Sequence, residues 1–235
     1  MKKILKSISD KISMKKDQIL LSGHKVKCKM CGWNGKRFPN SRCPKCRSLA
    51  RTRLIPFSIN FFDIDLDDIN LLHVAPNISE YNFIKVNFQN ITYDRLDIVN
   101  RDKINLVRDL TNTKLQDFQY DLIIIWHVLE HIPNDIKAIE EMYRILKKKG
   151  QVLVSVPIHP KGNPSTEEDK SVRREDFQKF YGHPDHCRSC GLDYYKRFEE
   201  VGFDTLTLDT SKISETDRKK FGLSNSHISW LFTKK

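Results

Sequence analysis

"YDLIIIWHVLEHIPNDIKAIEEMYRILKKKGQVLVSVP", residues 120–157, decides the fold. It begins with the most apolar run of the chain, Tyr120 to Trp126, which suits a central strand buried on both faces. Pro133 then opens a helix whose buried face is marked by Ile136, Ile139, Tyr143 and Leu146. Lys147 to Lys149 fit the negative end of that helix's dipole, and Gly150 is placed to stop it. Residues 151–157, "QVLVSVP", read as the next strand. A strand, a helix of this length and a second strand make a crossover unit, whose two strands lie parallel.

The same alternation extends both ways. "NLLHVA" (70–75), "ITYDRLD" (91–97) and the short "INLV" (104–107) read as strands before it. "VGFDTLTLD" (201–209) and "HISWLFTK" (227–234) follow as a pair expected to run antiparallel at the sheet edge. The expected class is therefore α/β, with a doubly wound, mostly parallel sheet. Ligands bind such sheets beyond the carboxyl ends of the strands. That rule selects Ala75, Pro76 and Asn77 after the first strand, and Asp97, with Asp94 near it, at the end of the second. It also selects Asp109 after the third strand and "HVLEH" (127–131) after the fourth. A carboxylate at the second position can accept both hydroxyls of a ribose, and one at the third can accept the exocyclic amine of adenine. The first loop, in "LLHVAPNISE" (71–80), holds no glycine, which argues against a cradle for a dinucleotide's diphosphate.

Composition bounds the rest. The chain of 235 residues is 39% apolar and 30% charged, with no apolar run long enough to span a bilayer. A cytoplasmic protein is expected, since the basic N-terminus lacks the apolar core of a secretory signal. The net charge of +11 is uneven: residues 1–53 carry 16 Lys/Arg against 2 Asp/Glu, and residues 54–235 carry 25 against 28. Such asymmetry suits an anionic partner or a solvated lysine-rich face. Within the basic third, Cys28, Cys31, Cys43 and Cys46 form two C-x2-C pairs. Two tight turns, with Gly32 after one pair and Pro44 inside the other, supply the four thiolates that a structural, tetrahedral zinc prefers. Cys187 and Cys190, with His183 and His186, offer a weaker second cluster. Leu5, Ile8, Ile12 and Ile19 mark one face of a basic N-terminal helix over residues 1–21, whose thin apolar stripe suits packing on the body of the protein better than the alternative, lying on a membrane surface. A ribbon over 22–55 and a larger domain over 56–235 complete the expected organisation, with the acidic "FFDIDLDD" (61–68) joining them.

"YDLII", "HVLEHI" and "EMYRILKKKG", followed by a strand, resemble in their order a class I S-adenosylmethionine-dependent methyltransferase, over roughly residues 68–210. The four-cysteine ribbon, the "HVAP" loop and the later "TEED…YGHPDHCRSCGLDY" resemble a subset of that family. The resemblance implies a Rossmann-like sheet of seven strands and S-adenosylmethionine as cofactor. By position it places His73, Ala75 and Pro76 beside the methionine part, Asp97 at the ribose, and Asp109 with Leu110 at the adenine. Trp126 and His127 would border the reactive methyl. The chain departs from the subset at Asn77, where an acid is expected, and at Cys187 and Cys190, where apolar and aromatic residues are usual.

Histidines suit proton removal near neutral pH, so His127, His131 and His186 are the catalytic candidates. The insert 158–195 is the expected substrate lid, with Thr166, Glu168, Asp169, Asp185, His186 and Arg188 as pocket residues. The leading expectation is methyl transfer to an oxygen of a small polar metabolite, such as a sugar, a glycan precursor or a phosphorylated surface metabolite. A second is an RNA methyltransferase whose ribbon holds phosphates with Arg42, Arg47, Arg51 and Arg53 and stacks bases on Trp33 and Phe38. A third is a non-catalytic scaffold. The oligomeric state is not set by the sequence.

Overall fold

A computed structural model describes residues 13–235. The chain divides into two compact units, one of residues 1–61 with 210–225 and one of 62–209 with 226–235. The break after Phe61 falls inside the acidic "FFDIDLDD". Residues 56–61 and 210–225, expected in the larger domain, belong to the smaller unit.

In the smaller unit, β1 (Ser22–Lys27) pairs antiparallel with the short β2 (Asn34–Gly35), and α1 covers Ala50–Phe61. The segment 210–225 adds α2 (Glu215–Phe221), capped by the Ser214 side chain and ended by left-handed Gly222. The buried Arg53 ties that segment in, donating to the carbonyls of Phe221 and Gly222 and, within the ribbon, to those of Ser41 and Ser48. Of the predicted N-terminal helical face, Leu5, Ile8 and Ile12 lie outside the described residues. Residues 13–20 are helical, but Ile19 is 76% exposed. The half-buried face there is Met14, Asp17 and Gln18, and Gln18 donates to the Pro44 carbonyl at 3.2 Å.

The larger unit is built on a seven-stranded sheet. Its strands are β3 (Ile69–Val74), β4 (Ile91–Asp97), β5 (Leu106–Val107), β6 (Tyr120–Trp126), β7 (Leu146–Ser155), β8 (Phe203–Asp209) and β9 (Ile228–Lys234). Their spatial order is β5-β4-β3-β6-β7-β9-β8. All pairs are parallel except those of β9 with β7 and β8, as the strand pattern predicts. The order reverses between β3 and β6, so the crevice opens beyond their carboxyl ends. On β6, Ile123 and Ile124 are fully buried, one toward each face, and each such side chain contributes about 1.5–3 kcal/mol. Trp230 and the stacked Phe198–Phe232 pair, 3.8 Å between ring centres, fill the core at the antiparallel edge.

The helices of this unit that position the site are α3 (Ile78–Asn87) and α4 (Asp135–Ile145). Helix α4 ends at Ile145, and β7 starts at Leu146. Lys147 to Lys149 and Gly150, expected at the helix end, are therefore strand residues. They form an irregular stretch opposite Asp121, between the Tyr120–Leu146 and Leu122–Gln151 pairs, with Lys149 at φ 63° and Lys147 Nζ on the Asp121 carboxylate at 2.7 Å.

Candidate functional site

The four predicted metal ligands of the smaller unit converge. Cys28 Sγ lies 3.7 Å from Cys46 Sγ, and Cys31 Sγ lies 3.6 Å from Cys43 Sγ. Four sulfurs bonded at about 2.3 Å to one tetrahedral zinc stand about 3.8 Å apart, so the quartet fits that ion. The two turns are built alike. Gly32 follows Cys31 at φ 73°, and Arg47 follows Cys46 at φ 65°. The first turn uses glycine for the left-handed position, while the second holds an arginine there against its steric preference. Mutual hydrogen bonds among the four sulfurs lower Cys28 and Cys46 and raise Cys31 and Cys43, so the quartet shares its protons until a cation displaces them.

The RNA reading loses part of its footing here. Trp33 is buried, packed where a Cβ on Gly35 would collide with its ring at 1.9 Å. Phe38 lies between Trp33, with 5.9 Å between ring centres, and the Arg53 guanidinium at 4.0 Å. Neither ring is placed to stack a base. Arg53 is buried and committed to carbonyls; Arg42, Arg47 and Arg51 are exposed.

In the larger unit the strand-end residues line the crevice unequally. Ala75 sits at φ 49°, the left-handed conformation that glycine adopts freely, and its amide donates to the Leu96 carbonyl at 2.7 Å. The backbone thus takes the glycine path without the glycine, and Pro76 fixes the next turn. Asn77 caps α3, accepting from the amides of Ser79 and Glu80, while Glu80 accepts from the Asn77 amide. The missing acid at position 77 is thus a helix cap. His73, expected beside the cofactor, is fully buried under α3. Its Nδ1 is 3.1 Å from the Tyr93 hydroxyl and its Nε2 3.6 Å from Glu80. It braces the loop from beneath and does not line the crevice.

Asp97 ends β4 and is 5% exposed. One oxygen accepts from the Val99 amide at 2.9 Å, and the other faces the half-exposed Arg101 guanidinium. Asp109 accepts from the amide and hydroxyl of Thr111, beside the buried Leu110. Trp126 is buried at the end of β6. His127 follows at φ 54°, its amide bonded to the Ser155 carbonyl at 2.8 Å. Two non-glycine residues in left-handed backbone, Ala75 and His127, therefore stand at the ends of neighbouring strands. Strain of this kind gathers at functional sites.

A residue that sequence reasoning passed over lies behind His127. Glu130 is buried, with Oε1 3.5 Å from His127 Nδ1 and 3.8 Å from His131 Nε2. Burial alone would raise its carboxyl; the hydrogen bond and charge of His127, with the charge of His131, hold it below the usual range. Neither Glu130 Oε2 nor His127 Nε2 has a hydrogen-bond partner, although both are buried. The clue in the sequence was a glutamate at i+3 from one histidine and next to another in a single turn. His131 turns away, its Nδ1 on the Asp185 carbonyl at 3.0 Å. Burial pushes His186 down to about 4, so it stays neutral at ordinary pH.

Of the predicted pocket residues, Glu168, Asp169, Asp185 and Arg188 border a cavity of about 1110 Å³, and Thr166 and His186 do not. Ile98, Val99 and Arg101 form its wall next to Asp97, and Lys170, Arg174, Glu168, Asp169, Asp185 and His131 supply polar groups. Asp169 is folded onto Ser171, and Asp185 pairs with Arg174 at 3.3 Å. Thr166 braces the lid: its amide donates to Asp193 and its hydroxyl accepts from Gly191. Arg188, expected to contact substrate, is 1% exposed and has no donor to spare. Nε bonds Glu168 at 2.8 Å; Nη1 bonds the Leu129 and Ile132 carbonyls at 2.7 and 2.9 Å. Nη2 bonds the Pro133 carbonyl at 2.9 Å and faces Asp135 at 3.3 Å. It straps the lid to the turn after β6. Cys190 belongs to the apolar core, so it cannot join a metal quartet with Cys187, His183 and His186. His183 and His186 instead meet His131.

A family model described as a methyltransferase domain matches residues 45–208. A search of curated proteins gave no significant match. Among solved structures, the chain is similar to a SAM-dependent methyltransferase from Archaeoglobus fulgidus, at 16% identity and a TM-score of 0.53, covering 78% of this chain and 94% of that one. A protein described as a sarcosine dimethylglycine methyltransferase from Galdieria sulphuraria gives 16% identity and a TM-score of 0.55, covering 82% and 88%. The [4+2]-cyclase SpnF gives 14% and 0.51, covering 77% and 80%. At such identities the likeness is one of fold.

Proposed function

The chain belongs to the methyltransferase domain family, and from that premise we propose that it methylates an oxygen of a small polar acceptor with S-adenosylmethionine as donor. The observation that carries this reading is the buried Asp97 carboxylate at the carboxyl end of β4, next to the left-handed Ala75 turn after β3, with His127 across the switch point after β6. The cofactor supplies a methyl group already activated by its positive sulfur. Asp97 would accept the ribose hydroxyls once Arg101 swings toward solvent. Asp109, oriented by Thr111, would accept the adenine amine beside Leu110. Ala75, Pro76 and Trp126 close the wall around the methionine part.

His127 is the proposed base. Its unpartnered Nε2 would take the acceptor's proton, and the Glu130 carboxylate behind Nδ1 would stabilise the imidazolium formed. The acceptor would lie in the cavity under the lid, where Arg101, Lys170 and Arg174 favour an anionic or polyhydroxylated molecule. Thr166 and Arg188 hold the lid in place, and Glu168, on the cavity wall, anchors Arg188 and Arg197. The four cysteines hold one structural zinc in the ribbon, with all four positions filled by protein.

Incubation with methyl-labelled cofactor and fractionated cell extract tests the acceptor class. The reading expects label in small polar molecules, stable to mild base as an ether is. Label confined to RNA overturns the acceptor class. Absence of label in every fraction, in a chain that binds the cofactor, overturns catalysis.

A further inference from the structure

Three imidazoles meet at the edge of the acceptor cavity without an apolar reason to do so. His131 closes the turn after β6, and His183 and His186 lie on the lid. Ring centres are 4.8 Å apart for His131–His186, 5.8 Å for His131–His183 and 4.6 Å for His183–His186. One ring nitrogen of each lies within 4.8 Å of the others, although His131 and His183 are exposed. We propose that these three histidines bind a second divalent ion of the zinc class, separate from the cysteine ion.

The ligand set argues for that class: neutral imidazoles suit zinc and its transition-metal neighbours, and disfavour magnesium and calcium. The surroundings supply what a histidine site needs. The Asp185 carbonyl accepts from His131 Nδ1 at 3.0 Å, the outer contact that fixes a ring and leaves its other nitrogen for metal. Glu130, buried 3.8 Å from that Nε2 with one oxygen unpartnered, provides the compensating negative charge. The two loops are already tied, because the Cys187 amide donates to the Glu130 carbonyl at 2.8 Å. Zinc–nitrogen bonds of about 2.0–2.1 Å need nitrogens roughly 3.3 Å apart, so the rings must close by about 1.5 Å. Two exposed side chains can make that movement, and His183 gives up its 3.2 Å contact with the Asp185 amide in doing so. Three protein ligands leave one position open, and His131 lines the cavity, so that position would face the acceptor. The ion would then take an acceptor oxygen. Metal binding itself does not depend on the methyl-transfer reading, and the experiment keeps the two apart.

Full-length protein is loaded with zinc, dialysed against metal-free buffer and assayed for metal, then titrated with cobalt after stripping. Wild type should hold two ions per chain. Cobalt should fill the ribbon, with thiolate charge-transfer absorption, and separately a nitrogen site with visible bands alone. His183→Ala and His186→Ala should keep the charge-transfer band and the melting temperature but hold one ion, with second-site affinity weakened about 100-fold or more. One ion in wild type overturns the proposal. So does a second ion held equally well by His183→Ala and His186→Ala, which would mean adventitious binding elsewhere. His183→Gln, on an exposed residue, guards against a folding artefact and should also lose the second ion.

Discussion

The cysteine ribbon and the strand-end crevice encode their sites in opposite ways. The ribbon's ligands sit within nineteen positions of sequence, Cys28 to Cys46, and two like turns bring them together whatever the rest of the chain does. The crevice draws Ala75, Asp97 and His127 from three strands, and only the order β4-β3-β6 makes them neighbours. The first kind of site is written locally and should fail locally. The second is a property of the sheet, so single residues can be removed from it with the fold intact.

The largest expected effect breaks the local site. Chelation, or Cys43→Ser, should unfold the ribbon, because apparent metal-binding energies of about 10–16 kcal/mol are folding energy in such modules. Limited proteolysis should then cut within residues 22–61 while the sheet of the larger unit stays protected. Simultaneous loss of the sheet would dissolve the contrast. Next comes the lid strap. Arg188→Ala leaves Asp135 and Glu168 to Arg197 alone among the arginines and strips the Leu129, Ile132 and Pro133 carbonyls of their donor, and should cost about 1–3 kcal/mol by chemical denaturation. A loss under 1 kcal/mol would return Arg188 to the surface.

Acid separates the regions more gently. Glu141, hydrogen-bonded by Arg144 and by the buried Thr113, has its carboxyl lowered from 4.5 to about 2. A depressed carboxyl stabilises the fold above its unfolded value. That stabilisation should therefore be complete above pH 4.5 and fade as pH falls toward 2. Glu141→Gln should flatten this part of the melting curve of the larger unit, by about 5 °C across the window. The smallest effect sharpens the crevice itself: Ala75→Gly should raise stability by about 1 kcal/mol, since φ 49° strains alanine and not glycine.

Strand positions and the cysteine quartet were legible because periodicity and spacing are local. The helix end was not. Lys147 to Gly150 read as a helix terminus, yet the helix stops earlier, because Leu146 already pairs with Tyr120 and leaves them as an irregularity within β7. Buried arginines were equally hidden: Arg53 and Arg188 look like surface residues in sequence, and only the carbonyls that surround them in three dimensions identify them as struts. His73 followed the same course, since a histidine on a strand gives no sign of which face it takes. Glu130 was written beside its histidines but gains meaning only from burial.

The proposed grip of Asp97 on the ribose of S-adenosylmethionine, at the end of β4, is the contact on which the methyltransferase site depends. Calorimetry with the demethylated cofactor tests this most directly. Wild type should bind in the micromolar range, and Asp97→Ala should bind at least about 100-fold more weakly, a loss of roughly 2.7 kcal/mol, with an unchanged melting temperature. Equal affinity in the two proteins, or no binding by wild type, would contradict it.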